Sequence, residues 1–263
     1  MVLAYSYCNV AVLPLRAEPS HRSEQVSQML FGEKAEIKEV NSKDWAHVVC
    51  LFDGYSGWCR KSQLGLLLKK DFLKETRHMV ASHNSRLYTT HGEMWLPLGS
   101  ELTGLKGGTL QVIADRATFK GTKIAFDKLP TDADTLCKAA FQYLHAPYQW
   151  GGRTVAGIDC SGLTQMAFKL ANFALLRDAH QQAQQGVLVE FLQEARPGDV
   201  AFFEDRDGKI IHVGLLLGND TIIHASDNNG RVAVDKIDQG GIVSISLKKR
   251  THNLRFVKRM FNL

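Results

Sequence analysis

The chain has 263 residues, of which 44% are hydrophobic and 22% charged, with a net charge of +5 at pH 7. This is the composition of an ordinary globular protein, and it excludes a disordered chain, a collagen-like fibre and a small disulfide-rich domain. No apolar run reaches the roughly 18 residues of a membrane-spanning helix, and the modest, scattered positive charge does not indicate a nucleic-acid partner.

The first 127 residues are predicted to form short strands separated by turns. Val, Ile, Trp and Tyr concentrate in runs that predict strands at residues 9–15, 35–40, 45–51 and 55–60. The Asp53-Gly54 pair between the last two runs is a hairpin signal. The same rhythm returns after Lys70 and predicts strands at residues 78–82, 86–89, 94–98 and 109–115. We therefore expect two small all-β barrels, over residues 1–68 and 69–128.

From Pro130 the pattern changes to helices followed by strands. Apolar residues at helical spacing predict helices over residues 132–145 and 161–176, with Thr131 or Asp132 as the first N-cap. Strands are predicted at residues 199–203, 210–217, 221–225, 230–234 and 254–260. Helices followed by an antiparallel sheet indicate an α+β domain over residues 129–263.

Cys160 is the first candidate for chemistry. It follows a glycine-containing loop and stands at the start of the helix predicted over residues 161–176. The positive end of a helix stabilises a thiolate, which is the nucleophilic form of cysteine. Inert packing is the alternative interpretation of Cys160, and it is the one we adopt for Cys8, Cys50, Cys59 and Cys137.

His212 and His224 each interrupt an apolar strand. A histidine in such a strand costs desolvation free energy unless it has a partner. For either residue alone, the alternative is a structural role as a core histidine bonded to a backbone carbonyl. A hairpin turn at residues 218–220 can place both side chains on one face of the sheet, which favours a joint role.

Four short sequence blocks follow one another between residues 157 and 225. They are Gly157-Ile-Asp-Cys-Ser-Gly-Leu163, Arg196-Pro-Gly-Asp-Val-Ala-Phe-Phe203, His212-Val-Gly214 and Ile223-His-Ala225. Together they resemble the signature of the NlpC-type papain-fold cysteine peptidases. The resemblance implies that Cys160 is the nucleophile, that His212 is the general base and acid, and that His224 orients His212. It also implies that the Tyr148 hydroxyl and the Cys160 N–H hold the oxyanion.

The first predicted barrel carries a second resemblance. Val10-Ala-Val-Leu-Pro-Leu-Arg16 and Asp53-Gly-Tyr-Ser-Gly-Trp58 are similar to the bacterial SH3-like domain that precedes this catalytic domain in γ-D-glutamyl-L-diamino-acid endopeptidases. Those enzymes recycle cell-wall peptides. They cut the bond between γ-D-glutamate and the diamino acid when the N-terminal L-alanine is free.

The same resemblance implies a pocket for the substrate's N-terminal ammonium. Asp159 and Ser161 beside the nucleophile would line it, together with Glu24 and Tyr55 from the first barrel. Glu33 is the alternative to Glu24. The structural alternatives are a helix-dipole partner for Asp159, a helix cap for Ser161, a solvated Glu24 and a barrel-core Tyr55.

The implied reaction is a hydrolysis of a murein tripeptide or related peptide, with no cofactor, no metal, no nucleic acid and no membrane partner. The unpaired thiols and the absence of a basic segment followed by an apolar one favour a cytoplasmic location, or a periplasmic or secreted one if a leader has been removed. Two other functions stay open: an exported wall-lytic endopeptidase that uses the barrels as wall anchors, and a thiol acyltransferase on the same fold. The diamino acid is either meso-diaminopimelate or L-lysine.

Overall fold

A computed structural model describes residues 1–110 and 117–261. The chain divides into two compact units, Met1–Leu129 and Pro130–Leu263, and each is described by itself. Among the described residues, no helix combines the length and the apolarity needed to cross a bilayer.

The first unit opens with a seven-stranded antiparallel sheet in the order β3-β2-β6-β5-β4-β1-β7. Its strands are β1 (Ala4–Cys8), β2 (Val12–Arg16), β3 (Gln25–Leu30), β4 (Lys34–Val40), β5 (Trp45–Cys50), β6 (Ser56–Arg60) and β7 (Leu64–Leu67). Buried and partly exposed side chains alternate along β2 and β6, as in strands with one face on a core. The buried face supplies one apolar core, formed by Cys8, Leu13, Leu15, Met29, Ala35, Ile37, Ala46, Val48, Cys50 and Cys59.

The start of this sheet differs from the sequence-based prediction. The strand predicted over residues 9–15 is confirmed from Val12, where β2 begins, but residues 9–11 form the turn that follows β1, a strand that was not predicted. Strand β3 was not predicted. It lies at an edge of the sheet, and its polar residues Gln25, Ser27 and Gln28 dilute the apolar signal on which strand prediction depends.

The second half of this unit is a smaller β structure. A short helix α1 (Lys69–Phe72) leads into it, and its strands are β8 (His78–Val80), β9 (Arg86–Thr89), β10 (Gly92–Trp95), β11 (Leu105–Lys106), β12 (Thr109–Leu110), β13 (Ala117–Lys120) and β14 (Lys123–Ala125). They form a five-stranded sheet, β10-β9-β13-β12-β11, and a separate pair, β14-β8. Phe31 from the first half packs into the core of this second half with Val80, Leu87 and Leu102.

The predicted pair of barrels is therefore not confirmed. The sheet of β1 to β7 has β3 and β7 as edge strands, and residues 69–110 and 117–128 form two separate sheets, so the described residues of this unit contain no closed barrel. Part of the strand predicted over residues 109–115 lies outside the described residues. The division of this unit at residue 68 stays a prediction.

The second unit combines short helices with a seven-stranded sheet in the order β17-β23-β18-β19-β20-β21-β22. The helices are α2 (Ala133–Phe141), α3 (Cys160–Leu170) and α4 (Ala179–Gln182). The strands are β15 (Arg153–Thr154), β16 (Gly157–Ile158), β17 (Val187–Val189), β18 (Val200–Glu204), β19 (Ile210–Leu216), β20 (Thr221–Ser226), β21 (Arg231–Asp238), β22 (Gly241–Ser244) and β23 (Lys249–Arg259). Because β22 also pairs with β23, strands β18 to β23 close on themselves. This α+β unit thus holds the closed barrel of the described residues.

Both main helices end earlier than predicted. Asp132, rather than Thr131, is the N-cap of α2, and its carboxylate accepts a hydrogen bond of 2.7 Å from the Thr135 N–H. After each helix the chain passes through a left-handed residue, His145 at φ 68° and Asn172 at φ 58°. A left-handed residue ends helical propagation, so the apolar residues after Asn172 lie outside α3, whereas α2 already ends at Phe141 and is followed by a turn that includes His145. Helix α3 is buried along its whole length and packs against β19 and β20.

Candidate active site

Cys160 is the first residue of α3, and the Asp159 side chain caps the helix. One Asp159 oxygen accepts the Gly162 N–H at 2.6 Å and the other accepts the Gly151 N–H at 2.7 Å. The carboxylate therefore ties the glycine-containing loop to the start of the helix. Gly162 permits this close packing, because a Cβ at that position would lie 2.3 Å from the Gly152 carbonyl oxygen. The Cys160 N–H is left among the helix-terminal donors that have no intrahelical acceptor.

Three buried side chains form a hydrogen-bonded chain across neighbouring strands of the sheet. His212 lies on β19, His224 on β20 and Asp235 on β21. The His212 Nε2 and the His224 Nδ1 are 2.9 Å apart, and the His224 Nε2 is 3.1 Å from the Asp235 carboxylate. The structure thus brings the two predicted histidines together and adds an acidic residue behind them. We call these three residues the relay.

The order of the relay determines where each proton lies. The hydrogen bonds from His224 and from the Ile245 N–H lower the pKa of Asp235 although burial opposes it. The ionised carboxylate can only accept, so the His224 Nε2 carries a proton, and in a neutral imidazole the Nδ1 is then the acceptor. The His212 Nε2 must then donate to His224. This leaves the His212 Nδ1 as a free lone pair, which is the atom that a general base needs.

The backbone around the relay is shaped for it. A β-bulge places Ile211 as an extra residue next to His212 on β19, and bulges re-aim the side chains beside them. Gly214 on β19 lies beside His224, and a Cβ at position 214 would come within 3.0 Å of the His224 Cβ. A larger residue there would push the two strands apart, so Gly214 is needed for the close approach of the two histidines.

The Cys160 thiol lies against β19. The backbone N–H groups of Val213, the residue after His212, and of Ser161 act to lower the pKa of Cys160. Burial and the charge of Asp159 nevertheless raise the pKa of Cys160 to about 12. The pKa of His212 is lowered well below 6.5, first by burial and then by His252 and His224. Both directions correspond to a neutral thiol and a neutral imidazole.

Asp159 and Ser161 are held by a buried arginine. The Arg177 guanidinium donates to both Asp159 oxygens, at 3.1 and 2.7 Å, and to the Ser161 hydroxyl at 2.8 Å. Arg177 and Asp159 expose only 1% and 6% of their side chains. The negative charge predicted to face a substrate ammonium is thus already balanced within the protein, and Asp159 fills the capping role as well. The ammonium role of Asp159 and Ser161 stays a prediction.

Helix α4 anchors this arginine. Gln182 donates to the backbone carbonyls of Ser161 and Leu176, at 3.0 and 2.8 Å, and accepts the Thr164 hydroxyl at 2.7 Å. These bonds join the segment that carries Arg177 to the first turns of α3. The segment 177–182 therefore holds the first turns of α3, where Cys160 lies, in position.

Tyr148 is half-buried in the loop before the nucleophile. Its N–H donates to the Gly230 carbonyl at 2.8 Å, and the residue forms an isolated parallel bridge with Ile158, which lies two positions before Cys160. Burial is the main cause that raises the pKa of Tyr148, and the negative charge of Asp159 adds to it. Its hydroxyl therefore keeps its proton, as a hydrogen-bond donor must.

The remaining predicted residues lie in the first unit. Glu24 is exposed just before β3, and its carbonyl accepts the Ala17 N–H at 3.0 Å. Tyr55 is half-buried in the hairpin before β6, and its N–H donates to Asp53 at 3.0 Å. Glu33 is 2% exposed and accepts the Leu30 N–H at 2.9 Å. Glu33 therefore serves a buried turn, which leaves Glu24 as the exposed acid of the two. Roles for Glu24 and Tyr55 in the site stay predictions.

Both units of the chain are similar to known protein families. Residues 145–251 match the NlpC/P60 family, and residues 15–64 match the bacterial dipeptidyl-peptidase SH3 domain. Over 218 residues the chain is 30% identical to the gamma-D-glutamyl-L-lysine dipeptidyl-peptidase of Bacillus subtilis, an alignment that spans 76% of this chain and 71% of the relative. The chain belongs to the NlpC/P60 family.

Two further NlpC/P60 comparisons cover nearly the whole chain. The dipeptidyl-peptidase 6 of Lysinibacillus sphaericus is 26% identical over 247 residues, which are 86% of this chain and 89% of that protein. The crystal structure of an NlpC/P60 family protein from Bacillus cereus has a TM-score of 0.84 and 19% identity, and the match covers 98% of this chain and all of that one. The fold is thus an SH3-like N-terminal domain and an NlpC/P60 catalytic domain.

Three residues of this NlpC/P60 site were not found by sequence reasoning. Asp235 was detectable in principle, because it is an acid at a buried position of a strand, between Val234 and Ile237. Nothing in the residues around Arg177 marks it as part of the site. His252 was missed entirely. Its ring lies 4.0 Å from that of His212, centre to centre, with an angle of 19° between the ring planes.

His212, His224 and His252 are close enough to be examined as metal ligands. One nitrogen of each lies within 4.8 Å of the others. An imidazole nitrogen binds a metal along its lone pair, in the plane of the ring. The stacked rings of His212 and His252 direct their lone pairs in nearly parallel planes, and both nitrogens of His224 are already bonded. In this orientation of their rings, His212 and His224 are arranged for proton transfer rather than for binding a metal ion together with His252.

Proposed function

We propose that the chain is a cysteine peptidase that hydrolyses the bond between γ-D-glutamate and a diamino acid in cell-wall peptides with a free N-terminal L-alanine. The observation that carries the proposal is the relay of His212, His224 and Asp235 beside the thiol at the start of α3. The names of the relatives, a gamma-D-glutamyl-L-lysine dipeptidyl-peptidase and a dipeptidyl-peptidase 6, support the choice of peptide.

The relay suggests how the thiol is activated. The His212 Nδ1 takes the thiol proton as the Cys160 sulfur attacks the γ-carbonyl carbon of D-glutamate. His212 then becomes an imidazolium, and the charge is stabilised through His224 by the ionised Asp235. The imidazolium gives its proton to the amine of the departing diamino acid. A water, deprotonated by the same nitrogen, attacks the thioester and releases the dipeptide.

The oxyanion that forms on the carbonyl oxygen needs donors that do not move during the reaction. The Cys160 N–H belongs to the first turn of α3, and the Tyr148 hydroxyl stays protonated because its pKa is raised. We assign these two groups to the oxyanion. Every proton in the scheme is carried by the thiol, the imidazole or water, so the steps require no cofactor.

The wider setting is also part of the proposal. We infer a role in peptidoglycan recycling, with a murein tripeptide as substrate and Glu24 and Tyr55 of the SH3-like domain recognising its ammonium. Five free cysteines, four of them buried, favour the reducing cytoplasm as the location. We further propose that residues 69–128 are a second SH3-like domain, which the antiparallel pairing of β9, β10 and β13 supports.

One experiment tests the function and separates it from the alternatives. L-Ala-γ-D-Glu-meso-diaminopimelate, its L-lysine counterpart and intact sacculi are incubated with the protein, and the products are identified by mass. We expect L-Ala-D-Glu and the free diamino acid from the peptides and slow release from sacculi. Faster release from sacculi would favour the wall-lytic enzyme. Product formation that requires an added amine acceptor would favour the acyltransferase.

A further inference from the structure

His252 lies in the site, but the reaction scheme gives it no task. It is 8% exposed and comes from β23. Its ring stacks on His212 at 4.0 Å and meets His224 edge-on at 5.8 Å. Phe203 closes the cluster, with its ring 5.9 Å from that of His252 and 5.6 Å from that of His212. A buried polar ring with this many aromatic contacts has a specific orientation.

The backbone of β23 is irregular on both sides of His252. Thr251 is an extra residue opposite β22, and Arg255 is an extra residue opposite β18. Each bulge interrupts the alternation of side chains along the strand. The two bulges therefore present His252 to the same face of the barrel as the relay. The Thr251 hydroxyl lies 2.9 Å from the His252 Nδ1 and holds the ring in this orientation.

The hydrogen bond to His224 does not by itself position His212. A single bond at Nε2 fixes the direction of that nitrogen, but the ring can still tilt about the bond. A flat ring stacked against its face removes the tilt, because tilting would bring the two rings into collision. The stack therefore determines the plane in which the free Nδ1 points.

We propose that His252 is a positioning residue for His212. This inference rests on the proposed function, in which the His212 Nδ1 takes the thiol proton. The flat face of His252 holds the His212 ring in one plane and, while neutral, faces the imidazolium that forms in the reaction. A misplacement of about 1 Å in a reacting group can cost roughly 10² in rate.

The charges around His252 limit the pH range in which it can act. His212, His224, Asp235 and Asp227 are the titratable groups that act on it from β19, β20, β21 and the turn after β20. Burial, followed by His224, lowers the pKa of His252 to about 4. His252 is therefore neutral across the range in which the peptidase would work, and it presents a π face rather than a like charge.

Two substitutions at one position test the proposal. His252→Leu fills the space and keeps it dry but has no flat face, whereas His252→Phe restores a flat aromatic ring. We expect His252→Leu to lower kcat by about 10- to 100-fold with little change in KM, and His252→Phe to recover most of it. Phe256→Leu is the matched control, because that ring lies on the same strand but contacts Phe202. It should leave kcat unchanged.

A second readout does not depend on the peptide. Nitrogen NMR of imidazole-labelled protein reports the tautomer of His212 and its exchange. We expect one Nε2–H tautomer in the wild type and in His252→Phe, and a mixture or broadening in His252→Leu. This NMR result is expected even if the peptide is not a substrate. A failure of the proposed function can therefore be distinguished from a failure of the positioning role of His252. A kcat within twofold of wild type for His252→Leu would overturn the proposal, as would equal losses in the two variants.

Discussion

The buried ion pair of Arg177 and Asp159 offers a direct test of how the nucleophile is held, because removing one partner leaves the other charge inside the protein. Arg177→Met keeps most of the volume and deletes the guanidinium. Asp159 then loses two of its hydrogen bonds, of 3.1 and 2.7 Å, and Ser161 loses one. Breaking a buried pair in this way costs about 3–5 kcal/mol.

Hydrogen exchange can measure this cost locally. The cost applies to α3, which begins at Cys160, so the amides of that helix should open more often. At about 1.4 kcal/mol per tenfold, exchange of peptides from α3 should become roughly 10²- to 10⁴-fold faster. Peptides from the sheet of the first unit serve as an internal reference, because their strands do not depend on Arg177. Mass spectrometry of the full chain gives both values in one experiment.

Two further variants make the measurement decisive. Lys138→Met removes a pair with Asp134 whose side chains are 74% and 73% exposed, so it should change the exchange of α3 very little, because solvent screens an exposed pair. Asp159→Asn combined with Arg177→Met removes both charges and keeps a side chain that can cap α3. The double variant should recover most of the stability. If Arg177→Met speeds exchange no more than Lys138→Met, the buried pair does not hold the start of α3.

Four other predictions concern the chemistry. Cys160→Ala should lower turnover on the order of 10⁶-fold, and a residual rate of a tenth in a peptide assay would point to another nucleophile. Burial raises the pKa of Cys160 to about 12 and lowers that of His212 below 6.5. Alkylation of Cys160 by iodoacetamide should therefore keep accelerating above pH 9, and kcat/KM should fall only as His212 gains a proton below pH 6.5. A pH-independent alkylation rate would indicate a preformed ion pair. In the same peptide assay His224→Ala should lower kcat less than His212→Ala, because an orienting group contributes less than the base, and the reverse order would exchange their roles. N-acetylation of the substrate should lower kcat/KM by roughly 10²- to 10³-fold if the ammonium is bound in a buried pocket, and Tyr55→Phe should lower it less; equal cleavage of both peptides would remove the SH3-like domain from the site.

Some parts of the molecule were predictable because their signals are local. Cys160 follows a capping Asp159, and both lie in a stretch where a loop becomes a helix. His212 and His224 are visible because each interrupts an apolar run, and strand alternation with a short turn places them on one face. Helix ends were less predictable, since α3 stops at a left-handed Asn172 inside a segment that is still apolar.

The sequence by itself therefore predicted a helix that starts near Cys160, the placement of His212 and His224 on one face of a hairpin, and the order of the β-rich half and the α+β half. Only the tertiary structure decided what surrounds them. Asp235 reaches His224 through the register of β20 and β21, in which Ala233 is the partner of His224 and Asp235 lies two residues further on the same face. His252 faces His212 because of bulges whose position depends on three paired strands. Arg177 is charged and buried, and it bonds the Asp159 carboxylate, 18 residues away in the chain, and the Ser161 hydroxyl. Each of these contacts depends on groups distant in the chain, so a local pattern can mark a residue such as Asp235 but cannot show which group it contacts.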